Sequence, residues 1–158
     1  MKKPKYYLAY GSNLDVRQMA WRCPNASVVG TAVLKDWKLL FRGSKTGAYL
    51  TIEPEVGSEV PVAVWEITEA DERSLDRYEG FPDFYYKQSL QVDAHLFKPW
   101  GKDATIEAMV YIMHEDRPLG VPSRFYVEIC AGGYDTFGFD PEPLKAAVAA
   151  SVKEVKSA

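Results

Sequence analysis

Nowhere in this sequence does an apolar run approach the roughly 20 residues that a membrane-spanning helix needs. Cysteine is scarce. Cys23 and Cys130 are the two in the chain, too few for a disulfide framework, and a reduced, cytoplasmic protein is the expectation. Histidine is equally scarce, with His95 and His114 alone. Two cysteines and two histidines scattered this widely make no metal-binding pattern, and neither histidine stands at a spacing that would make it the base for a Cys130 nucleophile. No metal or cofactor is expected. Neither charge sign dominates: 19 Lys and Arg stand against 22 Asp and Glu, a formal net charge of −3. Nothing in that balance draws the chain to nucleic acid or to an anionic membrane. Repeats and low-complexity linkers are also missing. The opening "MKKPKYYLAYGSN" is basic but has neither a long apolar stretch nor a small-residue cleavage site, so no secretion signal is expected.

What is present is a globular composition. The 158 residues are 47% hydrophobic and 26% charged, enough for one domain over 1–158 with a real core. Strand patterns cover 5–10, 27–30, 32–41, 49–53, 60–67, 86–96 and 104–113. Helical patterns cover 14–22, 68–79, 123–132 and 141–155. "RGSKTGAY" and "RPLGVPS" read as loops, and "PEVGSE" as a separator between strands. Strands outnumber helices and come in neighbouring pairs rather than strict βα alternation. The expected class is therefore α+β, with an antiparallel or mixed sheet that can curl into a barrel.

Two stretches carry chemistry. In "YLAYGSNL", Tyr7 to Tyr10 suit a buried strand, and Gly11-Ser12-Asn13 then interrupt before a short helix. Gly11 permits a sharp turn and close approach of a ligand, and Ser12 or Asn13 can cap the helix. Backbone N–H groups left bare at such a turn suit a carboxylate or phosphate. The alternative is a capped strand-to-helix turn that binds nothing. In "ITEADERSLDRYEGFP", Thr68 and Asp71 are spaced as a capping box, and Gly80 suits the helix C-terminus. Glu79 then falls in the last turn, where unpaired carbonyls disfavour a carboxylate. Burial beside Tyr78 and Phe81 would push its pKa up as well. A glutamate moved toward neutrality suits general acid–base work. The alternative is a solvated terminal glutamate.

Together, "YGSNL", then "LDRYEGFP" with a following tyrosine, then "PSRFY", resemble the γ-glutamylcyclotransferase-like superfamily, in the right order and over nearly the whole chain. The resemblance implies a small mixed β-barrel with flanking α-helices. It implies that Glu79 is the catalytic acid–base and that Tyr10, Gly11, Ser12, Asn13 and Leu14 bind substrate, largely through their backbone. It implies two further binding tyrosines. One is Tyr126; the other, at the start of a strand, is Tyr86, with Tyr85 as the one-residue alternative.

The implied reaction suits these residue types. In a γ-glutamyl compound the α-amine can attack its own side-chain amide carbonyl, giving 5-oxoproline and a released amine. Nucleophile and electrophile share one molecule, so much of the entropic cost is already met. A single carboxylate can move the protons, N–H donors can stabilise the oxyanion, and an anion site can hold the α-carboxylate. The implied partner is a small γ-glutamyl molecule, and the protein is expected to be a monomer or homodimer. Two alternatives stand beside this: action on a specialised γ-glutamyl biosynthetic intermediate, and a non-catalytic binding module that kept the fold. Retention of both Glu79 and the "YGSN" loop argues against the latter. The loops Arg42–Tyr49 and Glu115–Pro122 are expected to meet the leaving group.

Overall fold

The structure is a computed structural model and describes residues 3–43, 47–97 and 101–157. Residues 44–46 of the expected 42–49 loop therefore lie outside the described residues. Five strands, β1 (Lys5–Ala9), β2 (Ser27–Gly43), β3 (Ala48–Ile67), β4 (Tyr85–Leu96) and β5 (Lys102–Met113), close into a barrel in the order β1-β3-β2-β4-β5. Among the described residues four α-helices flank it: α1 (Val16–Arg22), α2 (Glu69–Glu79), α3 (Arg124–Phe137) and α4 (Glu142–Ser157). No helix among the described residues is long and apolar enough to cross a membrane.

β1 makes the sheet mixed. It pairs antiparallel with β3, where Tyr7 faces Trp65, and parallel with β5, where Tyr7 faces Met109. Four consecutive residues, Tyr7 to Tyr10, are buried, as expected of a strand covered on both sides. The segments 27–30 and 32–41 form one strand rather than two, because Thr31 stays in register with Ala63. A bulge between Lys35 and Trp37, with Asp36 at φ 66°, changes which side chains face inward. Ala32 and Leu34 are buried before it, Leu39 and Phe41 after it. One extra residue shifts a period of two by one step. "PEVGSE" does not end a strand either. It bows out of β3 opposite the bulge, between the Pro54–Trp37 and Glu59–Lys35 pairs.

α2 forms as its sequence directs. Thr68 and Asp71 exchange side-chain to backbone hydrogen bonds, and Gly80 caps the other end in the left-handed region at φ 64°. The helix read over 123–132 runs on to Phe137. Two consecutive glycines look like a stop, but they do not break a helix whose neighbour needs close access. A Cβ built on Gly133 would stand 2.3 Å from Leu14 Cβ and 3.0 Å from the Leu14 carbonyl carbon. Gly133 thus lets α3 lie directly against the turn that carries Ser12 and Asn13. At Gly132 the same construction meets nothing within 4 Å. Two neighbouring substitutions should therefore act in opposite directions. Gly132→Ala should stabilise by up to about 1 kcal/mol through helix propensity. Gly133→Ala should destabilise by roughly 1–3 kcal/mol, because overpacking against backbone outweighs that gain. Urea melts of the two variants check this, and equal shifts would contradict the packing described.

Candidate active site

At one end of the barrel the Tyr7–Asn13 segment, the C-terminus of α2, the start of β4 and the first turn of α3 enclose a cavity of about 390 Å³. Its wall includes Tyr7, Tyr10, Gly11, Ser12, Asn13, Leu50, Tyr78, Glu79, Tyr85 and Tyr126. The volume lies within the range usual for small-molecule sites.

Residues 12–14 form a single 3-10 turn, which separates β1 from α1. Leu14 N–H bonds the Gly11 carbonyl at 3.0 Å and Asp15 N–H bonds that of Ser12 at 3.0 Å. The N–H groups of Gly11, Ser12 and Asn13 have no acceptor among the described residues. Neither Ser12 nor Asn13 caps the helix. Asp15 does, accepting from Arg17 N–H at 2.9 Å and Gln18 N–H at 3.3 Å, because the extra turn moves the helix start past Asn13. Leu14 stands behind the loop, fully buried with its N–H already used. It supports the turn and does not line the cavity.

Glu72, Asp76 and Glu79 share one face of α2, at spacings of four and three residues. Glu72 accepts from Lys5 and from Lys87 at 2.8 Å. Burial alone would raise its pKa, but these two lysines hold it below the usual value. Asp76 accepts the Tyr111 hydroxyl at 2.6 Å and pairs with Lys87 at 3.0 Å. The Glu79 carboxylate has no hydrogen bond or ion pair among the described residues. Burial of its carboxyl pushes the pKa up to about 7, and the Arg22 guanidinium opposes the rise. Burial is the cause expected from the sequence, but the surroundings differ. Phe81 lies under Lys87 Nζ, 4.1 Å from the ring centroid, and does not line the cavity. Two of the helix-end carbonyls are also occupied, those of Arg77 and Asp76, by the N–H groups of Gly80 and Phe81.

The tyrosine expected at the start of the strand is corrected by one residue. Tyr86 does not line the cavity; its hydroxyl reaches Glu115 on the outer face. Tyr85 points inward, is buried, and donates to the Leu50 carbonyl at 2.8 Å. Neighbouring strand residues face opposite sides, so one of the pair had to be outside. Tyr126 stands as expected. Its hydroxyl accepts from Leu50 N–H at 3.1 Å and would lie 3.2 Å from a Cβ on Gly11, so only glycine leaves room for both. Of the two expected leaving-group loops, Tyr49 reaches the wall but Glu115–Pro122 does not. The latter is bound to the β2 end, with Arg42 Nη1 on the Arg117 carbonyl at 2.9 Å and Gly43 N–H on that of Pro118 at 2.9 Å.

The family described as γ-glutamyl cyclotransferase, AIG2-like, matches this chain over residues 7–128, a span that takes in every wall residue named above. The chain belongs to that family. Human γ-glutamylcyclotransferase is 32% identical over 134 residues, covering 80% of this chain and 68% of the human protein. The mouse protein of that name is 29% identical over 143 residues, 86% of this chain and 73% of its own length. A solved γ-glutamyl cyclotransferase structure superposes with a TM-score of 0.74 at 28% identity, covering 92% of this chain and 86% of the other. Bacillus subtilis YkqA shares the fold, with a TM-score of 0.72 at 22% identity over 94% of this chain and 55% of its own. The chain is thus an enzyme of the γ-glutamyl cyclotransferase kind, and its substrate is a small γ-glutamyl molecule.

Within this cyclotransferase the sequence reading missed two wall groups, Tyr7 and Tyr78, and an arginine that contacts the wall from outside it, Arg22. Tyr7 was visible only as a strand residue. Tyr78 was read only as a side chain that buries Glu79, yet its hydroxyl lies 3.0 Å from Ser12 Oγ. Arg22 Cζ stands 3.3 Å from the centroid of the Tyr78 ring, and its guanidinium also donates to Asn13 Oδ1. The lone signal for Arg22 was a cation in the last turn of the helix leaving the loop, which is an ordinary place for arginine.

Proposed function

We propose that this cyclotransferase releases 5-oxoproline and a free amine from a γ-glutamyl amine, amino acid or peptide, with Glu79 as the base and then the acid. One observation carries the reading: Glu79, whose carboxylate alone on its face of α2 has no partner among the described residues, lines the same cavity as a run of N–H groups that have no acceptor among those residues. A site of that polarity suits a ligand bearing an ammonium beside a carboxylate.

In the proposed sequence the substrate's α-carboxylate takes the N–H groups of the Gly11–Asn13 loop, and its α-ammonium lies against Glu79. Tyr85 helps on the ammonium side, because its own proton is spent on the Leu50 carbonyl and its oxygen is left as an acceptor. Tyr10 is turned the same way, donating to the Tyr111 carbonyl at 2.7 Å. Glu79 takes one proton from the ammonium, and the freed amine attacks the γ-carbonyl carbon. The C=O electron pair moves to oxygen. Glu79 returns the proton to the leaving nitrogen, the C–N bond breaks, and the carbonyl re-forms. The ring nitrogen gives its surplus proton to the departing amine. A base with pKa near the working pH suits this exchange.

A cytoplasmic setting belongs to the same proposal, consistent with two free, buried cysteines. The test is a panel of γ-glutamyl amino acids, γ-glutamyl amines and glutathione, with 5-oxoproline measured directly. Release from at least one class, abolished in Glu79→Gln, is expected. Turnover that leaves glutamate rather than 5-oxoproline would overturn the reading.

A further inference from the structure

We infer that Tyr7, a residue outside the loop, donates a hydrogen bond to the γ-carbonyl oxygen of the substrate, and that Arg22 and Asn13 fix the direction of that bond. The inference rests on the function proposed above and extends it to a further catalytic residue.

The direction follows from donor and acceptor counting. Arg22 Nη1 contacts Asn13 Oδ1, and a guanidinium can only donate. The Asn13 amide is thereby fixed with its oxygen toward Arg22 and its nitrogen toward Tyr7. Asn13 Nδ2 then donates to the Tyr7 hydroxyl oxygen at 2.8 Å. Tyr7 cannot return its proton to an NH2 group that is already donating. Among the described residues no other group accepts that proton, and Tyr7 lines the cavity. Its O–H is therefore free to donate into the cavity. Tyr10 and Tyr85 are turned the opposite way, since they spend their protons on carbonyls, and Tyr126, which like Tyr7 accepts a hydrogen bond, is held against Leu50 and Gly11 on the loop side.

What Tyr7 meets is decided by its neighbours. Its ring packs edge-on against Tyr111, with centroids 5.8 Å apart, and Tyr111 bonds Asp76, one turn before Glu79 on the same helix face. Burial first, and then the Glu79 charge, push the Tyr7 pKa well up, so the phenol keeps its proton. A substrate carboxylate placed here would face the Glu79 carboxylate before the reaction and be repelled. The γ-carbonyl is neutral at that stage. It becomes anionic only after Glu79 has accepted the ammonium proton and lost its own charge. A neutral donor beside Glu79 therefore fits the oxygen whose charge develops during ring closure, and such donors act mainly on the transition state. The Tyr7 proton stays on Tyr7 throughout; its hydrogen bond strengthens as the C=O pair moves onto oxygen.

The experiment is steady-state kinetics at a pH well above the Glu79 ionisation, on wild type, Tyr7→Phe, Arg22→Met and the double variant, with thermal melts alongside. Tyr7→Phe should lower kcat on the order of 100-fold with KM little changed. Arg22→Met, which keeps the stem but frees the Asn13 amide, should lower kcat on the order of tenfold. In the double variant it should cost nothing further, because the bond it orients is already gone. Unchanged kcat in a folded Tyr7→Phe, or a loss expressed in KM alone, overturns the assignment of Tyr7. If Tyr7→Phe fails to fold, an unchanged kcat in Arg22→Met overturns it. Multiplying losses in the double variant overturn the orienting role of Arg22. If wild type releases no 5-oxoproline from any substrate class, the function itself has been misread and Tyr7 falls with it.

Discussion

Glu79→Gln is expected to keep the fold and lose turnover, by at least about 100-fold in kcat. Glutamine occupies almost the same volume and remains a hydrogen-bonding group, so the cavity wall is preserved. It cannot accept the ammonium proton, and it has none to return to the leaving nitrogen. The fold should survive because no hydrogen bond or ion pair among the described residues depends on this carboxylate. Its neighbours on the helix behave differently. Removing the charge of Glu72 takes away a partner of Lys5 and Lys87, so Glu72→Gln should show chiefly in stability. Purified variants assayed for 5-oxoproline and melted in parallel separate the two kinds of effect. Near-wild-type turnover in Glu79→Gln would remove this residue from the mechanism.

How far the sequence could be read follows from how local each determinant is. The Thr68–Asp71 capping box and the Gly80 cap lie within a dozen residues of each other, and both ends of α2 were legible. So was the pairing of strands into a curled sheet. The strand interruptions at Thr31 and at "PEVGSE" were not, because a bulge on one strand is answered by an excursion on its partner, and neither segment alone reveals the other. Helix α3 was cut short at its glycines for a similar reason, since the need for Gly133 comes from Leu14, far away in sequence. In the site, Gly11, Ser12, Asn13, Glu79 and Tyr126 do converge on one cavity. The choice between Tyr85 and Tyr86 turned on a single step of strand phase. Arg22 and Tyr7 were hidden because they meet only through the Asn13 side chain between β1 and α1, a contact that no spacing encodes.

The pH dependence of rate and of stability should report the same ionisation with opposite consequences. With its pKa pushed up to about 7 by burial, Glu79 in the free enzyme must lose its proton before it can act as a base. kcat/KM should therefore rise through a single limb near neutrality, well above the range of an ordinary glutamate. Tyr7, Tyr10, Tyr85 and Tyr126 should add no fall below about pH 10, because burial raises all four well above the normal phenol value. In Arg22→Met the limb should move to still higher pH, since the guanidinium favours the charged carboxylate. Stability runs the other way. A folded-state pKa above the unfolded one means that the native protein holds this proton more tightly. The contribution is fully present below the unfolded value of about 4.3 and is lost as pH climbs through the folded value near 7. Above that range wild type carries an uncompensated buried charge that Glu79→Gln does not. The variant should gain on wild type between pH 4.5 and pH 8, by about 3 kcal/mol at most. Urea denaturation of both proteins across that interval measures the difference directly. A variant equal to wild type at pH 4.5 and weaker at pH 8 would mean that the carboxylate is held by a cation in the folded protein, and a residue so held would be a structural anchor rather than the base.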